Sequence, residues 1–405
     1  MNLNINRRAV IFTLLFSILT ISSVQAQYTR KNDELIFRNA IELFNKGLYT
    51  AASEEFGRYI NGSAQGDARY SSDAAAYQTL CSIELKRGNT EGVVREFFEK
   101  YPESKMAGRI YLRYASYFFD KKDYLKAYEL LSKVDKRELP SADILDYSFK
   151  SGYCNLRVGH IEKALADFSE IIYRPASAYT APSQYYTAYI YYIKRDFKQA
   201  IERFKPLVKD KRFAVLSRYY LLESNFMLQN YKYVIDNGED LYNIVDKEYK
   251  AKTARMMSES YFALKRTDEA KFYFEKYSLY SGELSRKDIY YSGIIAYTLK
   301  NYVLATESFQ KLLGIDDTLA QNARYHIANC YLQLKNKQRA LDAFRAASES
   351  KFDSAIREDA FFNYAKLSFD IYSDITQFDR YRKEFTPSEA KANEIQTYIA
   401  TSFIL

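Results

Sequence analysis

The chain has 405 residues, of which 47% are hydrophobic and 27% are charged, and its formal net charge is +8. This balance is ordinary for a folded protein and excludes a disordered chain. With only 13 glycines and 6 prolines, the sequence also argues against a β-rich fold with many tight turns. Acidic and basic residues are interleaved throughout, which is typical of a solvated helical surface and not of a basic stripe that binds nucleic acid.

The first 26 residues have the organisation of a secretory signal peptide. Arg7 and Arg8 form a basic start, residues 9–24 are mostly apolar, and Val24 and Ala26 place small residues at the two positions that a signal peptidase reads. The apolar run is shorter than the roughly 20 residues that a membrane-spanning helix needs. We therefore expect cleavage after Ala26, export by the general secretory route, and a mature chain without a transmembrane segment.

From residue 33 onwards, one sequence phrase recurs about every 35 residues. A small residue near the start of each predicted second helix marks its phase, and seven of the eight spacings between markers lie between 34 and 37 residues. Self-similarity at this period predicts a stack of helical hairpins. The markers are Ala52, Val93, Ala127, Ala164, Ala200, Val234, Ala270, Ala305 and Ala340.

Two further positions in each repeat explain the recurring sequence pattern in physical terms. Twelve residues before the marker stands a residue that is usually small, such as Gly293, and four residues after the marker stands a large one, such as Phe309. Helices joined by a short turn approach closely where a small side chain faces a large one, and residues i and i+4 share a helix face. The sixth hairpin fits this pattern least, because it has Leu222 and Gly238 at these positions.

The last part of the sequence departs from the phase of the earlier units. From Ser354 the chain keeps two predicted helices without the marker, and after Pro387 a cap at Ser388 begins a further first helix. We expect either a truncated form of a longer repeat protein or a last helix that docks on a partner or a second copy. The predicted organisation is a signal peptide at 1–26, about ten hairpins at 33–385, and the first helix of an incomplete repeat at 386–405.

This pattern resembles the tetratricopeptide repeat (TPR) family over nearly the whole predicted mature chain. The family usually has Trp or another aromatic residue early in the first helix, where this chain has Ile36, Tyr77, Tyr111 and Ile289 and contains no Trp. The resemblance implies an all-α fold, a TPR-like α-α superhelix whose first helices line a concave groove. The secreted, Tyr-rich style also resembles envelope repeat proteins of the Bacteroides type.

Tyrosine is the most informative residue type for function, with 40 Tyr against 27 Phe. Its side chain offers rigid contact area and one hydroxyl, which suits the recognition of a peptide or glycan, although it equally suits packing between repeats. The run from Tyr185 to Tyr192 covers more than one helix face, which favours a binding patch there. By the family resemblance, the inward positions of a partner-binding groove are Phe149, Tyr153, Arg157, Tyr185, Tyr189, Tyr192, Tyr219, Phe226, Arg255, Tyr290, Tyr297 and Tyr325.

Few residues are suited to catalysis or metal binding. The two histidines, His160 and His326, are too few for a His-based zinc site or a Ser-His-Asp triad, and no glycine-rich phosphate loop occurs. Cys81, Cys154 and Cys330 lie far apart, so we expect buried free thiols, with a disulfide or a reactive thiol as the alternative. The sequence therefore predicts no enzymatic activity, no cofactor and no metal site.

Together these features predict a non-catalytic protein-protein interaction scaffold of the bacterial cell envelope. We expect it in the periplasm, or associated with the outer membrane through a partner, with a peptide or partner protein in its groove. Two alternatives stay open: an envelope assembly factor that works with outer-membrane or peptidoglycan machinery, and the sensor part of a truncated signalling protein.

Overall fold

The structure is a computed structural model, and it describes residues 32–62, 70–86 and 88–402. The predicted signal peptide at 1–26 lies outside these residues. Within the described ranges the chain forms α-helices and short 3-10 turns and no β-strand. The all-α fold predicted from the repeat pattern is therefore confirmed.

The chain divides into two compact units, an N-terminal unit that ends at Lys194 and a C-terminal unit that begins at Arg195. The helices of the N-terminal unit are α1 (32–45), α2 (Tyr49–Gly62), α3 (Ser71–Glu84), α4 (Thr90–Lys100), α5 (Ala107–Asp120), α6 (Tyr124–Leu131), α7 (Ser141–Arg157), α8 (Ile161–Ile172) and α9 (Thr180–Ile193). Those of the C-terminal unit are α10 (Phe197–Phe204), α11 (Ala214–Met227), α12 (Tyr231–Ile244), α13 (Lys247–Ala263), α14 (Thr267–Tyr280), α15 (Arg286–Thr298), α16 (Tyr302–Gln310), α17 (Thr318–Gln333), α18 (Lys337–Glu349), α19 (Ser354–Tyr372), α20 (Thr376–Glu384) and α21 (Glu389–Ser402).

Within each unit, most helices that follow one another along the chain are packed together, and first helices also contact first helices of neighbouring hairpins. Such contacts join α3 to α5 and α5 to α7 in the N-terminal unit, and α11 to α13, α15 to α17 and α17 to α19 in the C-terminal unit. Each unit is therefore a stack in which a hairpin buries its apolar faces against its neighbours, as expected for a repeat array. None of the described helices combines the length and the apolar character needed to cross a bilayer.

The small and large companion positions interlock as the sequence predicts. A methyl group added to Gly293 would lie 2.6 Å from the ring of Phe309, and one added to Gly152 would lie 2.9 Å from the ring of Phe168. In the sixth hairpin the size order is reversed, because the buried Leu222 replaces the small residue and Gly238 replaces the large one. The side chain of Met257 fills the space beside Gly238, with its sulfur 2.6 Å from the position of an added methyl group.

One residue of each hairpin turn adopts a left-handed backbone conformation. Glycine, which reaches this region without steric cost, occupies it at Gly47 and Gly159, with φ of 76° and 89°. The other turns place a longer side chain there, and most of these side chains are cationic. The non-glycine positions are Lys86, Lys122, Arg195, Gln229, Lys265, Lys300, Lys335 and Ser373, with φ between 51° and 63°.

Polar contacts about one repeat apart connect the first helices of successive hairpins. In the N-terminal unit, Arg113 donates to Asp143 over 3.0 Å and the Tyr179 hydroxyl donates to Asp146 over 2.7 Å. In the C-terminal unit, the Tyr325 hydroxyl donates to Asp359 over 2.6 Å and Lys391 donates to Glu358 over 3.0 Å. These contacts fix the register of neighbouring hairpins in addition to apolar packing.

The three cysteines and His326 belong to the packed interior. Cys81, Cys154 and Cys330 are buried and free, which matches the expectation of small apolar side chains. Burial raises the pKa of the Cys154 thiol to about 12, so it stays protonated and unreactive at neutral pH. The ring of His326 stacks on Phe309 at a centroid distance of 5.2 Å, and burial lowers its pKa.

Candidate binding site

In the N-terminal unit, most of the predicted groove residues are half-buried aromatic packing residues. Phe149 and Tyr153 pack against the cluster of Ala164, Phe168 and Ile190, and Tyr185 is buried. Tyr189 and Tyr192 are also half-buried, with their rings stacked 6.1 Å apart. Only Arg157 is exposed, and its guanidinium lies over the ring of Tyr124.

In the C-terminal unit, the predicted residues divide into two groups. Tyr219 is buried in the core, and Tyr290, Tyr297 and Tyr325 are half-buried around the ring of His326. Phe226 and Arg255, by contrast, both line one cavity of about 340 Å³. The structure therefore brings two of the predicted residues together at an open site and places the others mainly in aromatic packing.

This cavity is built chiefly by three successive first helices, α11, α13 and α15, with contributions from α12 and α14. Its volume lies at the lower end of the range for ligand pockets, which suits one bulky side chain better than a complete drug-sized ligand. The lining residues are Phe226, Tyr231, Arg255, Glu259, Phe262, Ala263, Phe274, Lys287, Asp288 and Tyr291.

Aromatic rings in edge-to-face contact form the wall of the cavity. The ring of Tyr291 lies 5.5 Å from that of Phe262 and 5.7 Å from that of Phe274, at interplanar angles of 77° and 66°. The Tyr291 hydroxyl lies 3.3 Å from Ser258 Oγ, and burial raises the pKa of Tyr291 well above its ordinary value. Tyr291 is thus held rigidly and stays neutral, so this wall offers pre-formed apolar area.

The charged groups at the cavity are unequally paired. Arg255 donates to Glu259 over 2.8 Å and lies 3.6 Å from Asp288. Asp288 is buried and accepts hydrogen bonds from the Tyr277 hydroxyl and from the backbone and hydroxyl of Ser285, where it completes the capping box of α15. Lys287 is exposed and forms no ion pair with any residue that the structure describes. Lys287 is therefore the cavity cation that is available for a bound anion.

The geometry of the cavity suits binding. Glu259 is paired with Arg255, and Asp288 is occupied as a helix cap, so neither is placed as a free general base. Among the described residues, no group of three or more His, Cys, Asp or Glu side chains could hold a metal ion. What remains is an aromatic recess with one available cation and one arginine at its rim, a composition typical of protein recognition sites.

Several cavity residues are absent from the sequence prediction although the repeat period points to them. Phe262 stands 36 residues after Phe226, and Tyr291 stands 36 residues after Arg255, so each occupies the repeat position of a predicted residue. Extending the prediction from one hairpin to the next would have identified both. Sequence alone cannot tell that Tyr291 lines the cavity whereas its neighbour Tyr290 packs on Phe309.

The fold and the site define the class of the protein: an all-α repeat protein built from stacked hairpins, with a recess on its first helices. Residues 321–354, which include most of α17, all of α18 and the connection to α19, match the family model of the tetratricopeptide repeat. These residues therefore form a tetratricopeptide repeat, as the sequence pattern predicts.

Comparison with solved structures finds matches at low sequence identity and with TM-scores below 0.5. The C-terminal part of a TPR repeat-containing protein from Cytophaga hutchinsonii is 14% identical, with 66% of this chain and 98% of that chain covered and a TM-score of 0.42. The apo form of RapI is 14% identical, with 78% and 97% covered and a TM-score of 0.43. A tetratricopeptide repeat protein from Parabacteroides merdae is 13% identical, with 73% and 99% covered and a TM-score of 0.27. No curated protein matches the chain.

Proposed function

We propose that the chain is a non-catalytic interaction scaffold of the bacterial cell envelope that binds a peptide segment of a partner protein. The observation that carries the proposal is the aromatic cavity of the C-terminal unit, which three successive first helices line. The signal-like sequence of the first 26 residues supports export. The tetratricopeptide repeat supports a protein partner, because repeat arrays of this kind present extended binding surfaces.

The recess defines the mode of binding. A peptide would place one bulky apolar side chain between Phe226, Phe262 and Tyr291, where aromatic walls supply most of the contact area. Its backbone would run along the first helices, and an acidic group near the inserted side chain would meet Lys287. Because the walls are packed before the peptide arrives, binding costs little side-chain ordering.

Selection from a displayed library of linear peptides, followed by fluorescence polarisation, tests the proposal. Ala263→Arg places a long side chain at the cavity and should weaken binding by at least about tenfold, because it competes for the space of the inserted side chain. Glu275→Arg, on the exposed face of α14, is the matched control and should leave affinity unchanged. Equal affinity of the Ala263→Arg variant and the unmodified chain would contradict the site.

Export is tested separately by fractionating cells that express the natural gene with an antibody against the chain. We expect the protein in the periplasmic or outer-membrane fraction, with a mass that corresponds to cleavage after Ala26. Recovery of the uncleaved chain in the cytoplasm would contradict the envelope part of the proposal and would leave the peptide site to be judged by its own assay.

A further inference from the structure

Three successive hairpins of the C-terminal unit share a short sequence where the first helix turns into the second. Residues 264–269, 299–304 and 334–339 each begin with Leu followed by Lys. The hairpins that carry them pack on one another, so the three segments lie at the same end of neighbouring hairpins. Together these segments are the turn edge.

The three turns have the same backbone geometry. Lys265 and Lys300 have φ of 61° and Lys335 has φ of 58°. The residue after each lysine donates its backbone N–H to the carbonyl five residues earlier, over 2.8–2.9 Å, as Asn301 does to Ala296. This is the hydrogen bond of a Schellman helix end. Each hairpin therefore holds its Leu-Lys pair in the same place, and the pairs recur with the period of the repeat.

The turn edge is basic, and most of its bases form no ion pair. Its bases are Lys265, Arg266, Lys300, Lys335, Lys337 and Arg339, and its acids are Asp268 and Glu269. Arg266 pairs with Glu269, and Lys337 pairs with Asp370 of α19. The other four bases are exposed and have no ion-pair partner within the described part of the chain, where Asp268 is the one unpaired acid of this edge.

Exposed aliphatic side chains stand beside these bases. Leu264 is 41% exposed, Val303 is 56% exposed, Leu304 is 41% exposed and Leu334 is 42% exposed. Single exposed apolar residues are common on protein surfaces, and the helix dipole favours a cation at the end of a helix. Neither effect accounts for an exposed aliphatic group and an unpaired base that recur together in three successive hairpins. The combination suits a surface that offers apolar and anionic groups side by side.

An anionic lipid surface offers both kinds of group. Basic residues are attracted to anionic headgroups, and neighbouring aliphatic side chains enter the boundary between headgroups and acyl chains. A protein partner fits this edge less well, because protein interfaces are depleted in Lys and take most of their binding energy from Trp, Tyr and Arg. The turn edge of a second copy also fits poorly, because two basic edges repel each other.

We propose that the turn edge is a docking surface for an anionic lipid bilayer. The unpaired lysines contact the lipid phosphate groups, and the four exposed aliphatic side chains enter the headgroup boundary beside them. Because the turns are already fixed by their hydrogen bonds, binding orders only these side chains. Salt weakens the contact, because it screens exposed charges.

Cosedimentation of the purified chain with vesicles tests the part played by charge. The chain should bind vesicles of phosphatidylcholine and phosphatidylglycerol, and much less to phosphatidylcholine alone or at high salt. The triple variant Lys265→Gln, Lys300→Gln and Lys335→Gln should bind the mixed vesicles on the order of 100-fold more weakly. The matched control changes Lys209, Lys211 and Arg218 to Gln, which are exposed bases in and beside another connection, and should bind like the unmodified chain.

Tryptophan fluorescence tests the part played by the aliphatic side chains, because the chain contains no Trp of its own. With mixed vesicles, the emission of the Val303→Trp variant should shift to the blue and be quenched by brominated acyl chains. Leu279→Trp is the matched control. Leu279 is 77% exposed at the other end of α14, and the connection that follows it, residues 281–285, contains no base. Its emission should stay unchanged.

Circular dichroism confirms that each variant folds. A chain that binds neither kind of vesicle would overturn the proposal and would favour a protein as the occupant of this edge. Equal losses in the two triple variants would also overturn it, because attraction would then depend on net charge alone. Vesicle binding that inorganic polyphosphate abolishes, with no blue shift at Val303→Trp, would replace the lipid surface by a phosphate polymer.

Discussion

Substitution of Gly293 by Ala tests the interlocking of small and large residues that holds neighbouring helices together. The added methyl group would lie 2.6 Å from the nearest atom of the Phe309 ring, inside normal van der Waals contact. The ring cannot move away easily, because it is fully buried and lies against His326 and Tyr290 at centroid distances of 5.2 and 5.5 Å. Overpacking of this kind costs about 1–3 kcal/mol, and the better helix propensity of Ala recovers about 1 kcal/mol. We therefore expect a net loss of up to about 2 kcal/mol in the free energy of unfolding.

Gly57→Ala is the matched control for this prediction. Gly57 also lies inside a helix, but an added methyl group would meet only the Gln78 side chain, at an ordinary contact distance of 3.4 Å. Helix propensity should dominate there, so this variant should gain up to about 1 kcal/mol. Gly238→Ala should fall between the two, because the obstructing atoms belong to the flexible side chain of Met257.

Hydrogen exchange read by mass spectrometry is the appropriate assay, because repeat arrays unfold locally and not always in one step. Protection in peptides from α15 to α17 should fall in the Gly293→Ala variant and recover when Phe309 is shortened to Leu. If Gly293→Ala stabilised the unit as Gly57→Ala does, the interlocking account of these helices would be refuted.

Three further predictions concern the C-terminal unit. Gln321→Ala should cost about 2 kcal/mol or more and expose residues 350–354 to exchange, because five hydrogen bonds to backbone groups are lost; unchanged protection would contradict this. Burial lowers the pKa of His326 in the folded protein. The contribution of the neutral His326 ring to the free energy of unfolding is therefore complete above the ordinary His pKa of about 6.5, and it is lost as the pH falls through the lower pKa of the folded state. Thermal melts of the His326→Phe variant should lack this pH dependence. Lys300→Gly should raise the free energy of unfolding by up to about 1 kcal/mol, because it removes a lysine from the left-handed conformation with φ of 61°. Lys311→Gly is the control and should give no such gain, because Lys311 has φ of −62°. Equal gains for the two variants in denaturant titrations would argue against backbone strain at the turn.

The helical hairpins could be predicted from the sequence because their packing is local and periodic. An Ala marker and a Phe four residues later place two side chains on one helix face, and the structure buries both, as at Ala305 and Phe309. The sequence shows that Leu222 and Gly238 depart from the small and large residues of the other hairpins. It does not show how the helices pack at these two positions. Compensation by Met257 depends on the third helix that packs there, and no rule of spacing within one hairpin contains that information.

The candidate site was only partly predictable. Phe226 and Arg255 lie at the cavity, whereas Tyr219 lies in the core, although all three were chosen by the same inward position. Whether such an aromatic residue is core or cavity depends on how far neighbouring first helices separate, which the sequence period does not specify. The left-handed lysines of the turns were likewise missed, because composition indicates glycine or asparagine at such positions.

Site-specific photocrosslinking in cells that express the natural gene tests most directly whether the first-helix cavity recognises a partner protein. A benzoylphenylalanine at Tyr231, on the cavity wall, should give a discrete crosslinked adduct that disappears in the Ala263→Arg background. The same probe at Lys271, on the exposed face of α14, should give none. Adducts of equal yield at both positions, or no adduct at Tyr231, would contradict a binding function for this cavity.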